Sequence, residues 1–283
     1  MEAVGVNAPQ IEYWNGPVGD RWARLVDTQE RMLGALGSEA MNACDIQLGH
    51  SVLDVGCGSG TTSIEIAGRV GRTGRVLGID ISTPMLEVGR ARLGALDLDN
   101  VTFENKDAAM YRFQGEAFDR VFSRFGVMFF IDPVSAFRNI RDGLKSGGRI
   151  AFVCWQAADR NPWISIPLHV ALRHLPAPPP SNPEAPGPMA FSNPDRIRNI
   201  LSGAGFTELT IDTLETKIPV AADVPASVQK LLEVGPVSRL LREVSDDVTE
   251  RIANDLFDAI SGFQTDGGVM IDSATWIVSA VSP

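Results

Sequence analysis

The stretch Ser51-Val52-Leu53-Asp54-Val55-Gly56-Cys57-Gly58-Ser59-Gly60-Thr61 passes from an apolar run, through glycines at alternate positions, into a segment of helical spacing. The apolar run reads as a buried strand. The glycines let the chain turn tightly and let a ligand approach the backbone, while a helix opening near Thr61 directs its free N–H groups at the same spot. Two details bear on the ligand. Thr61 stands where the dinucleotide fingerprint G-x-G-x-x-G has its third glycine. Asp54, two residues before the first glycine, would oppose a pyrophosphate but suits a ligand that bears an ammonium group.

Outward from this turn the same pattern repeats. Short apolar runs at 51–55, 75–80, 101–105, 118–124 and 149–154 alternate with helical segments that start near Thr61, Pro84 and Pro133. Gly147-Gly148 is read as the end of a helix over 135–144. Such alternation is the signature of an α/β fold. The expected architecture is a doubly wound, mostly parallel, seven-stranded sheet with helices on both faces, plus a mainly helical cap. Residues 1–45 read as an N-terminal helical cap segment and 46–160 as the ligand-binding core. Residues 161–190 form a Pro-rich lid, because 176–188 holds seven of the chain's 18 prolines. The core continues over 191–221, a helical cap insertion occupies 222–268, and the last core strand is 269–283. In the insertion Val248, Ile252, Leu256 and Ile260 make an apolar stripe, with Ser245 placed as its cap. The stripe must bury against the sheet edge or a second subunit, which leaves a homodimer open.

Composition narrows the function. The chain has 283 residues, 44% of them hydrophobic, and can bury a sizeable core. Acidic residues exceed basic ones by 35 to 25, and no basic stripe could follow a phosphate backbone, so nucleic acid is not expected as a partner. Cys44, Cys57 and Cys154 are too scattered for a disulfide framework, and His50, His169 and His174 include only one close pair, so no metal is expected. No apolar run approaches bilayer length, and Met1-Glu2-Ala3-Val4-Gly5 lacks the basic start of a signal peptide. The sequence predicts a cytoplasmic protein without membrane partners.

The motifs taken together resemble the class I, seven-stranded S-adenosylmethionine-dependent methyltransferases. VLDVGCGSG resembles the family's first motif, FDRVFSRFGVMFFIDP (118–133) its fourth-strand motif and LKSGGRIAFVCW (144–155) its fifth. The likeness is close over 46–155 and strongest to the small-molecule branch that includes ubiquinone and menaquinone C-methyltransferases. It implies S-adenosylmethionine as cofactor, held by Asp54, Gly56, Gly58 and Gly60. Asp80 corresponds to the ribose acid, Asp107 to the acid that accepts from the adenine amino group, and Ala108 follows it. Ile81 and Met85 would flank the purine, and Ser123 would meet the methionine moiety.

Methyl transfer to a small-molecule acceptor needs chiefly a near-attack geometry, so the lack of a catalytic triad is no objection. Candidates for the chemistry are Arg124, whose planar fork would match an anionic group or make a structural ion pair, and His169 and His174 as bases. Tyr13, Trp14, Phe125 and Trp155 are candidate walls of an acceptor pocket, with Trp163 more at home as packing. The fourth strand carries Ser123-Arg124-Phe125-Gly126 rather than the Asn/Asp-Pro-Pro-Tyr type of motif used on nucleic-acid bases. Two other readings remain: a non-catalytic regulator or partner subunit that binds S-adenosylmethionine or S-adenosylhomocysteine, and an NAD-dependent oxidoreductase.

Overall fold

A computed structural model describes residues 7–113, 115, 117–178 and 182–283. Residues 1–6, where the lack of a leader was read, and residues 179–181 of the proline tract lie outside the described residues. Three helices come first: α1 (Ala8–Trp14), α2 (Pro17–Arg24) and α3 (Val26–Ala43). The alternating core follows as β1 (Ser51–Val55), α4 (Thr61–Val70), β2 (Arg75–Asp80), α5 (Thr83–Gly94), β3 (Val101–Asn105), β4 (Phe118–Arg124), α6 (Pro133–Asp142) and β5 (Leu144–Trp155). Beyond it come α7 (Pro162–Ala171), α8 (Pro194–Gly203), β6 (Thr207–Ala221), α9 (Val224–Glu233), α10 (Val237–Leu240) and α11 (Asp246–Ile260). A short β7 (Gln264–Thr265) and a long β8 (Gly268–Val281) complete it.

The strand order is β3-β2-β1-β4-β5-β8-β6, with β7 paired to β8. The first five of these strands pair in parallel, while β8 runs antiparallel to both β5 and β6. β1 is buried along its whole length, which is why Val52, Leu53 and Val55 are apolar without alternation. Phe122 and Phe152 in the sheet and Phe137 on α6 fill the core beside it.

Two helix starts show the expected capping chemistry, and two helix boundaries depart from expectation. The Asp132 and Asn193 side chains accept from the Ser135 and Asp195 N–H groups at 3.1 and 2.9 Å, each before a proline that fits the first turn. Ser245 stands before α11 but makes no side-chain cap bond. The helix expected to run to Leu144 stops at Asp142, and Gly147-Gly148 lies inside β5, where the pairing with β4 shifts register. Gly147 adopts φ 74°, which bends the strand instead of ending a helix.

α3 packs on the sheet, and α7, α9, α10 and α11 pack on one another. Ile252, Leu256 and Ile260 of α11 are buried and Val248 is partly so, against α7 and α9, which settles the stripe within the chain. Each such burial contributes on the order of 1.5–3 kcal/mol. Among the described residues no helix is long and apolar enough to cross a membrane, and no cluster of three His, Cys, Asp or Glu is placed to hold a metal ion.

Candidate active site

The main cleft opens at the carboxyl ends of the strands where the order reverses between β1 and β4, the place where open α/β sheets bind ligands. Its floor is the turn after β1. Gly56, Gly58 and Gly60 adopt φ of 69°, 55° and 78°, the left-handed region that glycine alone enters without strain. A Cβ on Gly56 would stand 2.9 Å from Gly126 Cα, so two backbones cross here at close range. Gly56 and Gly58 line the cleft; Gly60 does not. Its absent side chain leaves room for the Phe103 ring, and its role is to start α4.

Two acids rim the cleft on one side. Asp80, ending β2, accepts the Gly58 N–H through Oδ2 at 2.8 Å and the Ser82 N–H through Oδ1 at 2.7 Å. Enclosure raises its pKa, against the pull of those backbone donors. Asp107, beyond β3, receives the Asn7 side-chain amide on both oxygens at 3.0 and 2.9 Å, and the Ala109 N–H at 2.9 Å. Ile81, Met85 and Ala108 line the wall between them.

Asp54 lies beneath the turn rather than in the cleft wall, fully buried. Its Oδ2 accepts the Thr62 and Ser63 hydroxyls, both at 2.6 Å, while Oδ1 has no partner. Burial pushes its pKa up to about 6, a rise that the two hydroxyls and Arg124 partly offset. The acid therefore shapes the turn from below and does not reach the cleft itself.

The other expected residues divide in the same way. Ser123 is buried and outside the lining: its hydroxyl donates to the Val55 carbonyl at 2.7 Å and accepts the Gly126 N–H at 3.3 Å, tying β4 to β1. Arg124 does line the cleft, but it is also an ion pair, with Nη1 on both oxygens of Glu30 at 3.2 and 3.0 Å. His169 is exposed on α7, and His174 bonds Asp255 of α11 at 2.8 Å, so neither is in the cleft wall and neither is placed to act as its base. Trp14, Phe125 and Trp155 line the cleft, whereas Tyr13 turns away to receive Arg239 Nε on its hydroxyl at 2.9 Å.

The far end of the cleft is aromatic. Phe125 stacks on Trp155 with ring centres 4.3 Å apart and Trp163 leans on Trp155 at 4.8 Å, while nearer the acids Trp14 meets Phe129 edge-on at 5.1 Å. Phe125 holds φ 59°, a conformation rare for an aromatic residue, and strain of this kind concentrates at functional sites. Sequence reasoning missed Asn7, Gln10, Trp22 and the Val234-Gly235-Pro236 bend between α9 and α10, all of which line the cleft.

Three buried polar atoms without a partner lie in the cleft wall: Gln10 Oε1, Ser59 Oγ and Trp163 Nε1, with Asp54 Oδ1 just below. Each such atom costs about 1–3 kcal/mol unless something pairs with it. Their clustering fits a polar ligand laid along the cleft. The set of groups fits S-adenosylmethionine: an acceptor acid for a diol, an acceptor acid beside an apolar slot for an aminopurine, and a glycine cradle between them.

Residues 52–148 match a model of the methyltransferase domain. A demethylmenaquinone methyltransferase of Bacillus cereus is 35% identical over 112 residues, 40% of this chain and 47% of that protein. An aklanonic acid methyltransferase of a Streptomyces is 36% identical over 117 residues, 41% of this chain and 53% of that protein. The chain thus spans about half the length of the curated relatives it matches. In fold it is similar to phosphoethanolamine N-methyltransferase 2 of Haemonchus contortus, solved with S-adenosylhomocysteine. The TM-score is 0.54 at 20% identity, covering 88% of this chain and 52% of that one. Residues 52–148, with the sheet order and glycine cradle described above, are thus similar to the class I S-adenosylmethionine-dependent methyltransferases.

Proposed function

We propose that this chain transfers a methyl group from S-adenosylmethionine to a small-molecule acceptor. The observation that carries the reading is one continuous cleft with two unlike ends. Asp80 and Asp107 rim a polar end, Phe125 and Trp155 wall an apolar end, and the Gly56–Gly58 turn lies between them. When bound, S-adenosylmethionine supplies a methyl group on a sulfonium whose leaving group departs neutral. Asp80 would accept from ribose hydroxyls, and Asp107 from the adenine amino group, with Ile81 and Met85 against the ring. Asp54 would act at a distance, its negative charge favouring an ammonium over the turn.

At the other end the aromatic walls exclude water and present π faces that favour a sulfonium. Arg124, whose charge Glu30 already answers, would orient an acceptor oxygen rather than recruit a strongly anionic group. No base is assigned, since His169 and His174 stand elsewhere. The relatives are named for acting on demethylmenaquinone and aklanonic acid, which supports a small-molecule acceptor here. A formal charge of -10 supports an enzyme that does not act on nucleic acid. The α11 stripe is covered within the chain, so the reading needs no second copy.

The test is calorimetric titration of S-adenosylhomocysteine, followed by incubation with methyl-labelled S-adenosylmethionine and a small-molecule extract. Binding with transfer of label to a small molecule is the expected result. Binding without turnover in any extract would favour the regulator, and no binding would remove the cofactor assignment.

A further inference from the structure

Helix α1 is anchored at both ends to the rim of the cleft. At its start the Asn7 amide donates to Asp107, and Asn7 Oδ1 accepts the Ile131 N–H at 3.3 Å. At its end the Trp14 carbonyl accepts the Ser82 hydroxyl at 2.8 Å. Asn15 donates to the Ile81 carbonyl at 2.8 Å and accepts the Thr83 N–H at 2.9 Å. The helix therefore lies across the carboxyl ends of β3 and β2, from Asp107 to the loop that follows Asp80. Gln10 follows Asn7 by three residues, with its N–H on the Asn7 carbonyl at 2.9 Å, so the two side chains share a helix face. Both line the cleft. Gln10 Oε1, unlike Asn7 Oδ1, is buried without a partner.

We propose that Gln10 Oε1 accepts the second N–H of an adenine exocyclic amino group, the first going to Asp107. The inference rests on the methyltransferase reading above. An amino group carries two hydrogens, and in a site closed by α1 both need acceptors. Asp107 supplies one. Asn7 is the poorer acceptor for the other, since its amide nitrogen donates to Asp107 and its oxygen already accepts the Ile131 N–H; its part is to fix the carboxylate. Gln10 holds the remaining acceptor on that helix face. A purine with an oxo group in place of the amino group would set lone pairs against both Asp107 and Gln10, so α1 makes the site selective for aminopurines.

The test compares S-adenosylhomocysteine with S-inosylhomocysteine by calorimetry on the full chain and on Gln10→Met, which keeps the length of the side chain and removes the acceptor. The wild type should prefer the adenosyl compound by at least about tenfold, and Gln10→Met should weaken that ligand about tenfold while moving the inosyl ligand less than about twofold. If Gln10→Met unfolds α1, as judged by thermal melting, Gln10→Ala is read in its place. Equal weakening of both ligands, or unchanged binding of the adenosyl one, would overturn the assignment. A wild type that binds neither ligand would overturn the methyltransferase reading along with it, and so differs from failure at Gln10 alone.

Discussion

Arg124, at the end of β4, donates from one guanidinium nitrogen to both carboxylate oxygens of Glu30, in the second turn of α3. The arginine of the cleft wall is thus answered by an acid from the N-terminal cap, and the pair pins the cap to the core. Glu30→Ala should destabilise the chain by about 1 kcal/mol, a figure held low because the Glu30 side chain is 35% exposed. Urea unfolding of Glu30→Ala, Arg124→Met and the double variant should give a double loss smaller than the sum of the singles. Strict additivity would mean that the pair contributes nothing.

Asp54 makes stability depend on pH. Its carboxyl titrates at about 6 in the folded chain against an ordinary value of 3.8, so the folded state holds that proton more tightly than the unfolded state does. Its contribution is therefore full below about pH 4 and declines as pH rises to about 6, by on the order of 2–3 kcal/mol. Asp45, Asp119 and Asp132 titrate low and act in the opposite sense, so the comparison must be made against Asp54→Asn. Denaturant unfolding between pH 4 and 7 should show the wild type losing stability relative to that variant as pH rises. Parallel curves would refute the assignment.

The ribose acid has a double task. Asp80→Ala should weaken S-adenosylhomocysteine by about 10- to 100-fold, since hydrogen bonds to a charged group are worth roughly 1.5–3 kcal/mol. It also frees the Gly58 N–H, so Asp80→Asn, which keeps one acceptor, should bind at an intermediate level. Calorimetry that finds wild-type affinity in both variants would take Asp80 out of the site.

Gly58 and Gly60, the last two glycines of the turn, should fail differently. Gly60→Ala drives a Cβ into the Phe103 ring at φ 78° and should cost about 2 kcal/mol or more in folding. At Gly58 the nearest atom to a new Cβ is the flexible tip of Met85, 2.7 Å away, so Gly58→Val should fold at some cost yet lose cofactor binding. Thermal melts and ligand titration on the two variants separate these outcomes; normal binding by Gly58→Val would make the turn purely structural.

His174→Ala should leave methyl transfer at the wild-type rate, because the ring is engaged with Asp255 on α11 and stands outside the cleft. A drop in kcat with unchanged folding would bring His174 back as a base.

The alternation of apolar runs and helical spacing made the sheet legible, and β1 to β4 begin and end where that pattern places them. The cradle was legible because glycine spacing and strand-end acids are local signals. Which of those residues face the ligand was not, because facing depends on the pleat and on neighbours distant in sequence. Asp54, Gly60 and Ser123 carry the motif yet point into the core or at another strand. Asn7 and Gln10 lie in the cleft without any motif, since their place follows from the docking of α1, some 100 residues away from Asp107 in sequence. His174 looked chemical by residue type alone; its partner on α11 could be known only from how the cap folds.

β6 has a single neighbour in the sheet, β8, and three helices are made between the two. During synthesis β6 must therefore wait unpaired while α9, α10 and α11 emerge, and β5 waits with the backbone groups of one edge without a neighbouring strand. A strand in that position invites wrong pairing with other chains. Along β6, Glu208, Asp212, Glu215 and Lys217 carry charge, and most of the strand stays exposed even when folded. The polarity of β6 is thus suited to a nascent chain that has to remain soluble until β8 slides between two waiting edges and closes the sheet.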